Sequence, residues 1–154
     1  MKESYTAQDV CRIGLVTHRQ LQWWDEQGII SPDQSTGKRL YTTHELYGVM
    51  LYRELYERGF SLAAFRQVWR AIDRQAVELP DPSKRWLLTD GERVVFMCHS
   101  EVVLAFLEQR RSPAFVLVPL APLNRKLAGE GLELPERIGP ASERVCAMAR
   151  AKSA

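Results

Sequence analysis

The sequence predicts an α+β fold: a mainly helical first half, then a small ββαβ module and a flexible tail. Three observations predict it. Two short stretches with helical apolar spacing, starting at Thr6 and Thr17, are separated by a three-residue break and followed by turn residues and cations. Two prolines, Pro80 and Pro82, then end the helical pattern. Beyond them, RWLLTDGERVVFMC is two β-prone runs around Asp90-Gly91, a two-residue hairpin signal. The expected division is residues 1–78, 79–123 and 124–154.

Taken in order, Ala7, Val10 and Cys11 follow the i, i+3, i+4 spacing of a short amphipathic helix, and Gly14-Leu15-Val16 breaks it. Thr17 is an N-cap, because its hydroxyl can accept an unpaired amide hydrogen of the first turn. Leu21 and Trp24 share one face and pack inward, while His18, Arg19 and Gln22 fall off it. Gly28 suits a left-handed helix end. Ile29 and Ile30 begin an extended segment, SPDQSTG supplies turn chemistry, and Lys38-Arg39 lie on the returning strand before Tyr41. Helix, break, second helix with polar leading residues and a basic hairpin are the layout of a winged helix-turn-helix. A helix fits the DNA major groove, and a basic loop beside it can neutralise phosphate.

The next helix begins at Thr43, with Glu45 in its first turn where the helix dipole favours negative charge, and stops at Gly59. Ser61 caps another, whose Leu62, Phe65, Val68, Trp69 and Ile72 form an apolar stripe ending near Arg74.

The run V-T-H-R-Q-L-Q-W-W-D-E-Q-G-I-I, followed by S-P, G-K-R-L-Y, T-x-x-E-L and R-G-F-S-L, resembles the DNA-binding domain of the MerR family of bacterial transcriptional regulators. The resemblance covers roughly Tyr5 to Ile72. Gln22 replaces the arginine usual in the family's recognition helix, and Leu15 stands where the family turn usually has glycine. The resemblance implies sequence-specific binding of double-stranded promoter DNA, action on RNA polymerase, and a place in the bacterial cytoplasm at the nucleoid. Thr17, His18, Arg19 and Gln20 lead the recognition helix, and one or two of them are expected to read base edges; the expected phosphate contacts are Gln22, Trp23, Lys38, Arg39 and Tyr41. Trp24 is assigned to the core.

Members of that family usually continue into a long helix that dimerises them; here Glu78-Leu79-Pro80-Asp81-Pro82 ends the helix. In the following module Ser100 caps a helix of about twelve residues with Val103, Leu104 and Leu107 on its buried face and Arg110-Arg111 in its last turn. Ser112-Pro113 ends that helix, and Ala114–Val118 reads as a buried strand. A unit of this size buries little core alone, and its sheet edges can pair with another copy, so it is expected to be a homodimerisation or effector module, the alternative being a monomeric accessory domain packed on the helices. From Asn124 onward, Gly, Pro, Glu and small residues predict a tail, with one marginal helix near Glu143–Ala151.

Composition narrows the function classes. No apolar run is long enough to span a membrane and no signal-peptide pattern opens the chain, so a soluble intracellular protein is expected. Cysteines at 11, 98 and 146 do not suggest a disulfide framework. Net charge is only +2, so a DNA-binding face must concentrate cations such as Arg12, Arg19, Lys38, Arg39 and Arg53. Cys98-His99 is an adjacent pair that converges poorly on a strand, without other metal-ligand spacing. No phosphate-cradling loop or catalytic serine setting is present, so no enzyme, metal or cofactor is expected. Trp86, Phe96, Phe106 and Phe115 suit core better than a ligand pocket. Two rival readings are an excisionase-like architectural DNA-binding protein, and a protein-interaction adaptor whose second module is the working part. The second module and modest charge count against the first.

Overall fold

The computed structural model describes residues 4–109 and 115–129. It opens with a two-residue strand, β1 (Tyr5–Thr6), too short to carry a period in sequence, followed by α1 (Ala7–Gly14). Thr6 caps α1 through a reciprocal box with Asp9. The break follows, with Leu15 in the left-handed region at φ 56°. Next comes α2 (His18–Glu26), whose left-handed stop is Gly28 at φ 62°.

The wing differs from expectation. β2 (Leu40–Tyr41) pairs antiparallel with β1, not with Ile29-Ile30, in the register Tyr5 to Tyr41 and Thr6 to Leu40. What remains of a hairpin is a single bridge between Asp33 and Leu40, with 3.0 Å hydrogen bonds both ways. Ile29 and Ile30 are buried core residues instead. Their apolar side chains gain more from packing under the helices than from an exposed two-stranded ribbon.

α3 (Thr43–Glu57) is capped by Thr42 with Glu45 reaching back, and α4 (Leu62–Arg74) by Ser61. Gly48 lets these helices approach closely: a Cβ there would lie 2.6 Å from Trp69. Gly14 does the same for α1 against Val49, at 2.7 Å. Trp24 of α2 meets Tyr52 of α3 edge-on, and Tyr52 meets Phe65 of α4, so three helices share one aromatic cluster.

The segment after α4 is pinned rather than loose. The Leu79 N–H donates to His44 Nδ1 at 2.9 Å, and His44 Nε2 faces Asp73 at 3.6 Å. Then follow β3 (Trp86–Thr89), β4 (Val94–Met97), α5 (Ser100–Gln109), β5 (Val116–Pro119) and α6 (Ala121–Gly129). The sheet is antiparallel with β3 central, in the order β4-β3-β5. Its hairpin loop runs from Asp90 to Arg93, longer than the expected two-residue turn. Asp90 Oδ1 accepts from the amides of Glu92 and Arg93, so the aspartate folds the loop from within.

α6 is a second correction. Asn124 to Gly129 were expected to belong to a flexible tail, but they continue a helix whose Leu123 and Leu127 are buried. Tyr47 of α3 donates to Asn124 Oδ1 at 2.9 Å. Leu87, Val94, Val118, Leu120, Leu123 and Leu127 belong to the same core as the N-terminal helices, so the two parts of the chain pack together. The other sheet face forms a smaller cluster of Leu88, Met97 and Val103, flanked by half-buried Trp86 and Phe115. Phe96 is half-buried against the main core. Cys11 is a free thiol, whereas Cys98 is disulfide-bonded, which the cysteine spacing did not suggest. The expected Arg110-Arg111 helix end and the marginal helix near residue 143 lie outside the described residues, as does the side chain of Phe106. No helix among the described residues is long and apolar enough to cross a membrane.

Candidate nucleic-acid interface

The exposed face belongs to α2, and its capping determines which groups point outward. Thr17 Oγ1 accepts from the Gln20 amide at 3.2 Å, and Gln20 Oε1 accepts from the Thr17 amide and hydroxyl at 2.8 and 3.1 Å. Both stand among the four leading residues of which one or two are expected to read bases, and Thr17 is also the expected cap. The structure gives their side-chain oxygens to the helix start, where they satisfy amides that an uncapped end leaves unpaired. His18 and Arg19 are exposed beside them. Leu21 and Trp24 point the other way, each almost wholly buried, so packing fixes the rotation of the helix about its axis.

One turn on, Gln22 Nε2 donates to Glu26 Oε1 at 3.0 Å, and Trp23 is 48% exposed. An exposed tryptophan on a helix whose other tryptophan anchors the core is available to an outside surface. Thr17, Arg19, Gln20, Gln22, Trp23 and Glu26 line an open groove of about 500 Å³.

The wing projects from the C-terminal end of this helix. Asp33 accepts from the Ser35 amide and hydroxyl at 2.8 and 2.9 Å, and those bonds hold its carboxyl below the usual carboxylate range. Gly37 turns the chain at φ 75°, and Lys38 after it is exposed. Arg39 is half-buried, with its Nη2 3.5 Å from Asp25 Oδ2.

Tyr41 is a correction. It was expected among the phosphate contacts because it follows Lys38-Arg39, but it is 1% exposed and its hydroxyl has no hydrogen-bonding partner among the described residues. Burial pushes its phenol up to about 12. Its pairing with Tyr5 of β1 turns the ring inward, so it supports the base of the wing instead.

Two residues on this face were not expected to matter as they do. Arg53 of α3 donates to the Leu15 carbonyl at 2.7 Å and so holds the turn that aims α2. Asp25 accepts from Gln34 Nε2 at 3.0 Å as well as pairing with Arg39, tying the wing to the helix. No local pattern marks either contact, since both join segments distant in sequence. Arg66 of α4 adds bonds to the carbonyl and side chain of Gln27, closing the far end of α2. The arrangement is a braced helix with a polar leading edge, an exposed aromatic and a tethered basic loop. Residues 5–72, somewhat under half of the chain, match the model of the MerR HTH family regulatory proteins. No curated protein matches the chain.

Proposed function

Residues 5–72 are a MerR-family helix-turn-helix domain of a DNA-binding transcription regulator, and from that premise we propose that this chain binds duplex DNA sequence-specifically as a homodimer on an inverted repeat. The observation that carries the reading is the exposed face of α2, braced at both ends and presenting His18, Arg19, Gln22 and Trp23 beside an anchored wing. Arg19 supplies paired donors suited to guanine O6 and N7. Lys38 and Arg39 contact phosphates and set the position of the helix without reading bases. Two recognition helices related by a dyad would meet successive major grooves about 34–36 Å apart.

The second copy is supported by the sheet: β4 and β5 are both edge strands, and Leu104 on the neighbouring α5 is 61% exposed. The site of action on this reading is promoter DNA at the bacterial nucleoid, with RNA polymerase as the machinery affected. Selection of bound sequences from a random duplex library, with the full chain and its mass determined in the same buffer, tests it. An inverted-repeat motif with a dimeric mass is the expected result. A single half-site with a monomeric mass would remove the dimer, and the absence of any enriched motif would remove sequence-specific reading.

A further inference from the structure

A carboxylate on a DNA-reading helix is repelled by the phosphate backbone, so Asp25 needs a reason to stand there. Its Oδ2 accepts from Gln34 Nε2 at 3.0 Å and lies 3.5 Å from Arg39 Nη2. These donors come from the two arms of the wing, on either side of the exposed turn at Gly37-Lys38 and close to the Asp33–Leu40 bridge. One oxygen of α2 therefore ties both arms. The Asp25 side chain is only 15% exposed, so this pair is less screened than an ordinary surface ion pair. A guanidinium carries five N–H donors in a rigid plane, and fixing one nitrogen orients the others.

We propose that Asp25 is a positioning residue: it holds the wing at a set distance from α2 and orients Arg39 so that its remaining N–H groups meet a DNA phosphate. In doing so it sets the register in which α2 meets the bases. This rests on the DNA-reading function above. Asp25→Asn keeps the shape and an oxygen for Gln34 but no longer holds Arg39 by charge. Two consequences of opposite sign follow. Removing a negative charge from the DNA-facing side raises affinity for any duplex, whereas loss of wing register lowers the preference for the selected site. General damage to the fold would lower both.

The experiment measures binding of the full-length protein to its selected duplex and to a scrambled duplex of equal length and composition, at fixed salt. For Asp25→Asn, the ratio of the two affinities is expected to fall about tenfold, within the range of coupling for residues in one ion-pair network. Affinity for the scrambled duplex is expected to hold or rise. In an Arg39→Gln background the same substitution is expected to leave the ratio within about twofold, because the partner it orients is already gone. An unchanged ratio for Asp25→Asn alone overturns the assignment, and so do equal losses on both duplexes. If the unmodified protein shows no preference between the duplexes, the DNA-reading function itself fails. A wild-type preference that Asp25→Asn leaves intact removes only the role of Asp25.

Discussion

Arg53 on α3 donates a 2.7 Å hydrogen bond to the carbonyl of Leu15, the residue at which the chain between α1 and α2 passes through the left-handed region. The bond joins the middle of the longest helix among the described residues to the turn that aims the recognition helix. A residue with a Cβ held at φ 56° costs about 1–2 kcal/mol relative to its usual conformations.

Leu15→Gly removes that cost. The side chain is 57% exposed, so little packing is lost, and the extra freedom of glycine in the unfolded chain offsets about 0.4–1 kcal/mol. Urea unfolding is expected to show a net gain of up to about 1 kcal/mol. A loss would mean that the leucine side chain contributes more by its contacts than its backbone costs. Arg53→Met is expected to cost about 1 kcal/mol in the same measurement, a modest figure because the arginine is partly exposed and also pairs with Glu57.

Gly48→Ala tests the packing of α3 on α4. The added methyl would lie 2.6 Å from Trp69 Cη2 and 2.8 Å from Cζ2, and the ring is buried. A loss of about 1–3 kcal/mol is expected from overpacking, despite the better helix propensity of alanine. Thermal unfolding that stayed at the wild-type temperature would show that the indole has room to move.

Tyr41→Phe removes a buried hydroxyl that has no partner among the described residues, and is expected to be neutral or to stabilise by about 1 kcal/mol at pH 8. Burial raises the phenol from the ordinary 10 to about 12 in the folded chain, so folding favours the protonated form. That contribution is fully present below pH 10 and is lost as pH rises through 10 towards about 12. Burial raises Tyr47 too, and its hydroxyl donates to Asn124, so the wild-type chain should still lose stability in alkali. Between pH 9 and 11.5 (roughly the titration range), Tyr41→Phe should lose less than wild type. Equal slopes in urea melts across that range would contradict the burial of Tyr41.

Arg19 and Arg39 separate reading from positioning. Arg19→Ala is expected to relax preference at one base position by about 1–3 kcal/mol. Arg39→Ala should weaken binding to all duplexes and reduce the salt slope by about one, and, because the tie to Asp25 goes with it, should lower the selected-to-scrambled ratio about as much as Asp25→Asn does. Titrations at several salt concentrations on selected and scrambled duplexes measure both. Wild-type binding by both variants would place the interface elsewhere on the molecule.

The sequence by itself determined what depends on a few neighbouring residues. The caps at Thr17 and Ser61 and the glycine stops at 28 and 59 follow from side chains that bond amides three residues on, or from backbone freedom at one position. The apolar stripes that aim Leu21, Trp24, Phe65 and Trp69 inward are local in the same sense. Only the tertiary structure decided what depends on a distant partner. β1 is two residues long and exists because Leu40–Tyr41 comes back to it, and that pairing buries Tyr41. α6 carries few apolar residues, and its leucines find a core built mostly by earlier helices. Asp25 and Arg39 were both visible as charges, but their distance was not. A side chain's role at the surface is a matter of which groups share its few ångströms of space, and chain connectivity does not encode that until the whole chain has closed on itself.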